Sequence, residues 1–369
     1  MKNILLATAL FILSQSSSAQ TTPELLNKIF NAQKNIKNIS YRLSRQDTFV
    51  TGDTRTVNGL AKILVNPADK IFGFSYWGKR DDVNRETIFD GNTLLDVNHD
   101  KKNYNLTTNP VMFPHSLGQP GGQMIFTDLI QLDTAKVERY ELSQDSKYYY
   151  LTIYLPDKKE YDVTKRYKKF TIDKNSMLPV GMKNHQETLG KIQDLNYTLS
   201  DIHINDLTYA YNFSGQRFPE NYVPAQAAEN KPSPFLNKPA PIFELTSFSN
   251  KPVNLKLLEG KVVLLDFWEV WCGPCIASMP KVDSLYKEFN SKGLEVYGIV
   301  NDEKQAESSK LFIQKRKVQF PSLVGNKTIE KAYAVNGIPY YVLINKKGII
   351  TFISYGYSDK LEDEIKKLL

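Results

Sequence analysis

Asp266-Phe267-Trp268-Glu269-Val270-Trp271-Cys272-Gly273-Pro274-Cys275 is the stretch on which the reading of this chain turns. Residues 262–267 form an apolar run broken only by Asp266, as expected of a strand buried on both faces. That strand delivers the chain to Cys272, at the start of a helix predicted over residues 272–290. Unpaired amides and the positive end of a helix favour a thiolate over a thiol there. The thiolate is the species that attacks disulfides. Pro274 suits a first helical turn, which needs no amide donor. Cys275, one turn in, is placed to resolve a mixed disulfide formed by Cys272.

These are the only two cysteines in 369 residues, and all four histidines (His99, His115, His185, His203) lie far upstream. Structural disulfides close long loops, so a pair this close points to chemistry. A zinc or copper site would need further Cys or His ligands nearby. No metal and no cofactor is expected beyond a redox-active Cys272–Cys275 disulfide.

Working outward, strand and helix alternate from about residue 236 to the end. Strands are predicted at 262–267, 294–300, 340–344 and 349–354. Helices are predicted at 272–290, 303–316 and 327–334, with another closing the chain. That alternation means an α/β sheet with helices on both faces. Upstream, residues 219–235 are rich in Pro, Ala and Asn, where neither helix nor ladder continues. They read as a semi-rigid linker.

Residues 20–218 read differently. Leu25, Leu26, Ile29, Phe30 and Gln33 share one face of an early helix. Alternating, aromatic-rich runs follow at 60–65, 71–77, 148–154, 167–172 and 209–213, punctuated by turns such as Asp90-Gly91-Asn92. This is an α+β domain built on an antiparallel sheet. Residues 1–19 read as a signal peptide: Lys2, an apolar run to Leu13, and Ser17-Ser18-Ala19 as the cleavage site. No cysteine stands there to carry a lipid, so a periplasmic protein that is not a lipoprotein is expected. The net charge of +7 is spread thinly, without the basic stripe that nucleic acid requires.

Trp271-Cys272-Gly273-Pro274-Cys275 is the active-site pentapeptide of thioredoxins. Pro280 matches the proline in that family's active-site helix, and Gly337-Ile338-Pro339 matches its cis-proline loop. With Lys238-Pro239-Ala240-Pro241, Gly260-Lys261-Val262-Val263 and Asn345-Lys346-Lys347-Gly348, residues 236–369 resemble the TlpA/ResA branch of exported thiol-disulfide oxidoreductases. The resemblance implies a thioredoxin fold, with Cys272 as nucleophile and Cys275 as resolving thiol. It implies that Asp266 is the buried acid serving Cys275 and that Pro339 packs on the disulfide. Trp268, Trp271, Gly273, Pro274 and Ile338 would meet the substrate, while Glu269 is expected to face solvent. A peroxiredoxin would carry a Thr where Glu269 stands.

Gly273-Pro274 and Ile338 are similar to thioredoxin rather than to strong oxidases, which implies a reductase of exported proteins fed by a membrane thiol donor. A disulfide-forming oxidase or isomerase is the alternative. The layout of residues 20–218, one helix before long antiparallel strands, resembles the LolA-like half-barrels of lipoprotein carriers. That implies a face able to hold a lipid or hydrophobic peptide, or else a domain that positions the catalytic half. Asn66 stands where such carriers have a basic residue.

Overall fold

Every residue of Val262–Phe267 is buried, and the strand lies inside a seven-stranded sheet, paired on both edges. The computed structural model describes residues 21–159, 162–215, 218–225 and 235–369. The expected signal peptide (1–19) and most of the expected linker (226–234) lie outside the described residues.

The described strands form two sheets that share no strand. The first sheet contains β1 (Asn38–Thr48), β2 (Thr54–Val65), β3 (Phe74–Arg80), β4 (Arg85–Phe89), β5 (Leu94–Asn98) and β6 (Asn103–Thr107). It continues with β7 (Arg139–Gln144), β8 (Tyr148–Tyr154), β9 (Val163–Asp173), β10 (Pro179–Thr188), β11 (Lys191–Ile204) and the short β12 (Val223–Pro224). Two antiparallel meanders, β1 to β6 and β7 to β11, join where β1 pairs with β11.

Helix α1 (Thr22–Lys34) begins with a capping box between Thr21 and Glu24. It buries Leu25, Ile29 and Gln33 against one face of this sheet, whose core residues recur at every second position, such as Ile39, Tyr41 and Leu43. Residues 110–132, a run of short 3-10 turns, cover the rest of that face with Phe113, Met124, Phe126 and Leu129. The Gln33 side chain donates to the carbonyls of Asp128 and Leu129, at 2.9 and 3.2 Å, and Tyr41 Oη accepts from the Phe126 amide at 2.8 Å. Backbone meets backbone at Gly78 and Gly121, where a Cβ on either would lie 2.1 Å from the other's carbonyl oxygen. The face expected to hold a ligand is therefore packed with the chain's own side chains.

One expected strand is absent. Residues 209–213 run as irregular chain across the opposite face, where Tyr211 stacks on Trp77 at 5.7 Å. Phe218 likewise stacks on Tyr104 at 4.2 Å. Alternating aromatics can anchor such a strap as well as a strand, and here the rings are used for cover.

The second sheet contains β13 (Glu244–Ser247), β14 (Pro252–Asn254), β15 (Val262–Phe267), β16 (Leu294–Val300), β17 (Ser322–Val324), β18 (Tyr340–Ile344) and β19 (Ile350–Tyr355). Strands β15, β16 and β17 are parallel, and β18 runs antiparallel to β15. The helices are α2 (Gly273–Phe289), α3 (Ala306–Arg316), α4 (Lys327–Ala332) and α5 (Lys360–Leu368). Val262 and Leu264 point into the cluster built with α2, α3 and α5. Val263, Leu265 and Phe267 point into the cluster that holds Ile329 of α4 and Tyr333. Burying each such aliphatic side chain stabilises by roughly 1.5–3 kcal/mol, so β15 is pinned from both sides. No helix among the described residues is long and apolar enough to cross a membrane.

Candidate active site

Strand β15 ends at Phe267, and five residues later Cys272 is the N-cap of α2. Its sulfur accepts a hydrogen bond from the Cys275 amide at 3.2 Å, one of the donors that a helix start leaves unpaired. Cys272 and Cys275 are joined as a disulfide, with Cα atoms 5.3 Å apart. Both are buried, at 5% and 2% exposure, whereas Trp271 is 58% exposed and Gly273 and Pro274 are open to solvent. The Ile338–Pro339 peptide is cis. Ile338 packs against the apolar clusters on both faces of the sheet.

Asp266 is 1% exposed, and its Oδ1 has no hydrogen-bond partner. Burial pushes its carboxyl up to about 8. Across the ladder it stands opposite Gly298 on β16 and Tyr341 on β18. A side chain at 298 would collide with Ser322 Oγ (2.5 Å) and Trp268 Nε1 (2.7 Å), so no cation reaches the acid from that position.

Two expectations need correction. Trp268, expected among the substrate contacts, is 1% exposed and packs beside Phe312 inside the domain. The strand's inward alternation continues one residue past Phe267 and carries the indole into the core. Glu269, expected to face solvent, is 5% exposed. Its Oε1 accepts from the amides of Asn301 (2.9 Å) and Asp302 (3.2 Å), tying the cysteine loop to the chain beyond β16. Burial is the largest influence and lifts this carboxyl to about 7, against the lowering effect of the two amides.

Sequence reasoning missed Ser278 and Tyr341. Ser278 Oγ lies 2.8 Å from Tyr341 Oη, with the carbonyls of Pro274 and Cys275 each 3.0 Å away as acceptors. The pair locks the first turn of α2 to β18. The available signal was spacing: Ser278 is three residues after Cys275 and Tyr341 two after Pro339.

Compared with known proteins, residues 236–353 match the AhpC/TSA family. The chain is 34% identical over 137 residues to the thiol-disulfide oxidoreductase ResA of Bacillus anthracis, covering 36% of this chain and 78% of that protein. This chain belongs to the ResA-like thiol-disulfide oxidoreductases. A second relative of this ResA-like protein is the thioredoxin-like protein YneN of Bacillus subtilis (strain 168), 34% identical over 128 residues, or 34% of this chain and 75% of YneN. Among solved structures, one described as a putative protein disulfide isomerase from Bacteroides thetaiotaomicron is similar with a TM-score of 0.34 and 28% identity, covering 36% of this chain and 89% of that one.

Proposed function

We propose that this oxidoreductase is exported and reduces disulfides in other exported proteins, with Cys272 as the nucleophile. The observation that carries the reading is the setting of Cys272: a helix N-cap whose sulfur accepts one backbone amide, followed by Gly273-Pro274 with no histidine between the cysteines. In the reduced protein the Cys272 thiolate attacks a substrate disulfide, forms a mixed disulfide and expels one substrate thiolate. Cys275 then attacks Cys272, releasing the second substrate thiol and closing the Cys272–Cys275 disulfide. Two electrons pass to the substrate, and a thiol donor at the membrane restores the dithiol. Asp266, poised near pH 8, accepts the proton of Cys275 during its attack and returns it on re-reduction. Trp271, Gly273, Pro274 and Ile338 form the surface the substrate meets, and Pro339 packs beside the disulfide.

The amino-terminal segment, with Lys2, its apolar run and Ser17-Ser18-Ala19, supports export through a cleaved signal peptide. For the first sheet we favour a positioning role over lipid carriage, because α1 and residues 110–132 occupy one face and aromatic residues of the 209–225 segment pack on the other.

The test is a glutathione redox titration of the full chain, paired with thiol alkylation of the protein in cells. A potential near the roughly −270 mV of thioredoxin, with the pair largely reduced in cells, is expected. A value near the roughly −120 mV of strong oxidants, with the pair oxidised in cells, would reverse the direction.

A further inference from the structure

Asparagine precedes glycine twice in this chain, at Asn58-Gly59 and at Asn336-Gly337. The side-chain amide of such an asparagine is open to attack by the next residue's backbone nitrogen, because glycine brings no Cβ to crowd the approach. The fold decides which of the two pairs can react. Gly59 is buried inside β2, which is paired with β1 and β3, and a Cβ there would lie 2.6 Å from Met124 Sδ. That peptide cannot swing toward the Asn58 side chain without breaking the ladder. Asn336 and Gly337 are both exposed, in irregular chain between α4 and β18. Among the described residues, neither the Gly337 amide nor the Asn336 side chain has a hydrogen-bond partner. A Cβ on Gly337 would meet no atom within 4 Å, so neighbouring chain does not hinder rotation of this peptide.

We propose that Asn336 is a site of spontaneous modification to aspartate and isoaspartate, and that the conversion slows thiol exchange. The Gly337 nitrogen gives up its proton and attacks Asn336 Cγ; the Cγ–Nδ2 bond breaks, and ammonia leaves with that proton. Water then opens the cyclic imide. Addition at Cγ yields aspartate, whereas addition at the main-chain carbonyl yields isoaspartate, whose main chain runs through Cγ. No electrons change hands. Isoaspartate lengthens the main chain by one carbon, about 1.5 Å. Both ends of the segment are fixed. Val335 is buried, and its amide donates to the Glu330 carbonyl at 2.9 Å. The Pro339 carbonyl accepts from the Gly356 amide at 2.8 Å, and Tyr340 enters β18 opposite Tyr355. The added carbon is therefore taken up at Gly337 and Ile338, and Ile338 packs against the apolar cluster that contains Cys272 and Cys275. A misplacement of about 1 Å at a reacting centre can cost about a hundredfold in rate. The effect on exchange rests on the reading proposed above; the modification itself does not.

The test ages the full oxidised chain in mildly alkaline heavy-oxygen water and maps its peptides by mass spectrometry. The Asn336 peptide should take up heavy oxygen at least tenfold faster than the Asn58 peptide, with isoaspartate, detected by enzymatic methylation, as the major product. This comparison lies within the wild-type chain and needs no variant. Gly337→Ala, which its open surroundings accept, should slow the conversion at least fivefold. Once most of Asn336 has converted, wild type should reduce insulin at least fivefold more slowly than before ageing, whereas Gly337→Ala should keep its own starting rate. Equal conversion at Asn58 and Asn336, or conversion at neither, would overturn the modification. Conversion of Asn336 with an unchanged insulin rate would overturn its effect on exchange. A fresh wild-type chain unable to reduce insulin would instead overturn the exchange reading, while the peptide map still decides the modification.

Discussion

Buried carboxylates are treated differently in two regions of this molecule. In the first sheet, Asp47 is fully buried and is held by Arg45 at 2.7 Å and Arg55 at 2.6 Å. Asp128 has Lys168 at 2.8 Å, and Asp96 has Arg85. At the carboxyl end of β15, Asp266 and Glu269 are also buried, yet neither has a cationic partner among the described residues. The contrast is not between domains, since Asp283 on α2 is paired with Lys287. A buried acid without a cation is costly in its ionised form, and a chain that neutralises the other four is able to neutralise these. The two exceptions flank the turn into Cys272. What this teaches is that the cost is concentrated beside the cysteine pair, where the proposed exchange would move a proton.

Three variants can break or sharpen the contrast. The largest effect is expected from Asp266→Asn. A carboxyl raised to about 8 contributes stability that is complete below its unfolded value near 4 and is lost as pH rises through 8. The oxidised wild-type protein should therefore lose roughly 5 kcal/mol between pH 4 and pH 9 from this group, and Asp266→Asn should abolish that slope. Urea denaturation at the two pH values measures it, and an identical slope in the variant would mean that the acid is solvated or paired.

Next comes Gly121→Ala in the first sheet, where the new methyl group would meet the Gly78 carbonyl oxygen at 2.1 Å and the Thr87 amide nitrogen at 2.7 Å. Backbone cannot step aside, so a loss of about 3 kcal/mol in the first sheet is expected, with the redox potential unchanged. A shifted potential would show that the sheet's packing reaches the cysteines. Glu269→Gln comes last. It should remove the loss of roughly 3 kcal/mol of stability that wild type suffers as pH rises from 4.5 through 7, because the exchange of carboxyl for amide keeps the acceptor for Asn301 and Asp302. Thermal unfolding at pH 5 and pH 8 resolves it. A variant no different from wild type at pH 8 would return Glu269 to the class of paired acids.

Much of the catalytic half was legible because local and global signals agree there. The apolar run at β15 reads as a doubly buried strand, and Cys272 at a strand-to-helix turn with Pro274 behind it reads as a helix start. Glu269 was misread because a charged residue beyond a strand end ordinarily meets water. Its burial depends on the amides of Asn301 and Asp302, some thirty residues away in sequence. Asp266 was expected to be buried, but its lack of a cation is a property of what packs around Gly298. In the first domain the early helix and the strand pairs were readable from period. The 110–132 segment was not, since 3-10 turns follow neither the helical nor the strand period, and residues 209–213 use a strand's alternation without pairing. That Val50 and Leu189, at hairpin turns of the first sheet, pack into the apolar cluster of Cys272 was invisible for a simpler reason. Apolar residues at hairpin tips look like isolated exceptions until the partner domain covers them.

The central claim, that Cys272 attacks and Cys275 resolves, is tested most directly by trapping. Cys275→Ala and Cys272→Ala versions of the full chain would be incubated with a disulfide-bonded protein, quenched in acid, and run without reductant. Cys275→Ala should accumulate a long-lived mixed disulfide that includes Cys272, and Cys272→Ala should trap almost nothing, because Cys275 is the more buried residue of the two and lies inside α2, whereas Cys272 is its N-cap. Equal trapping by the two variants, or trapping only through Cys275, would contradict the account.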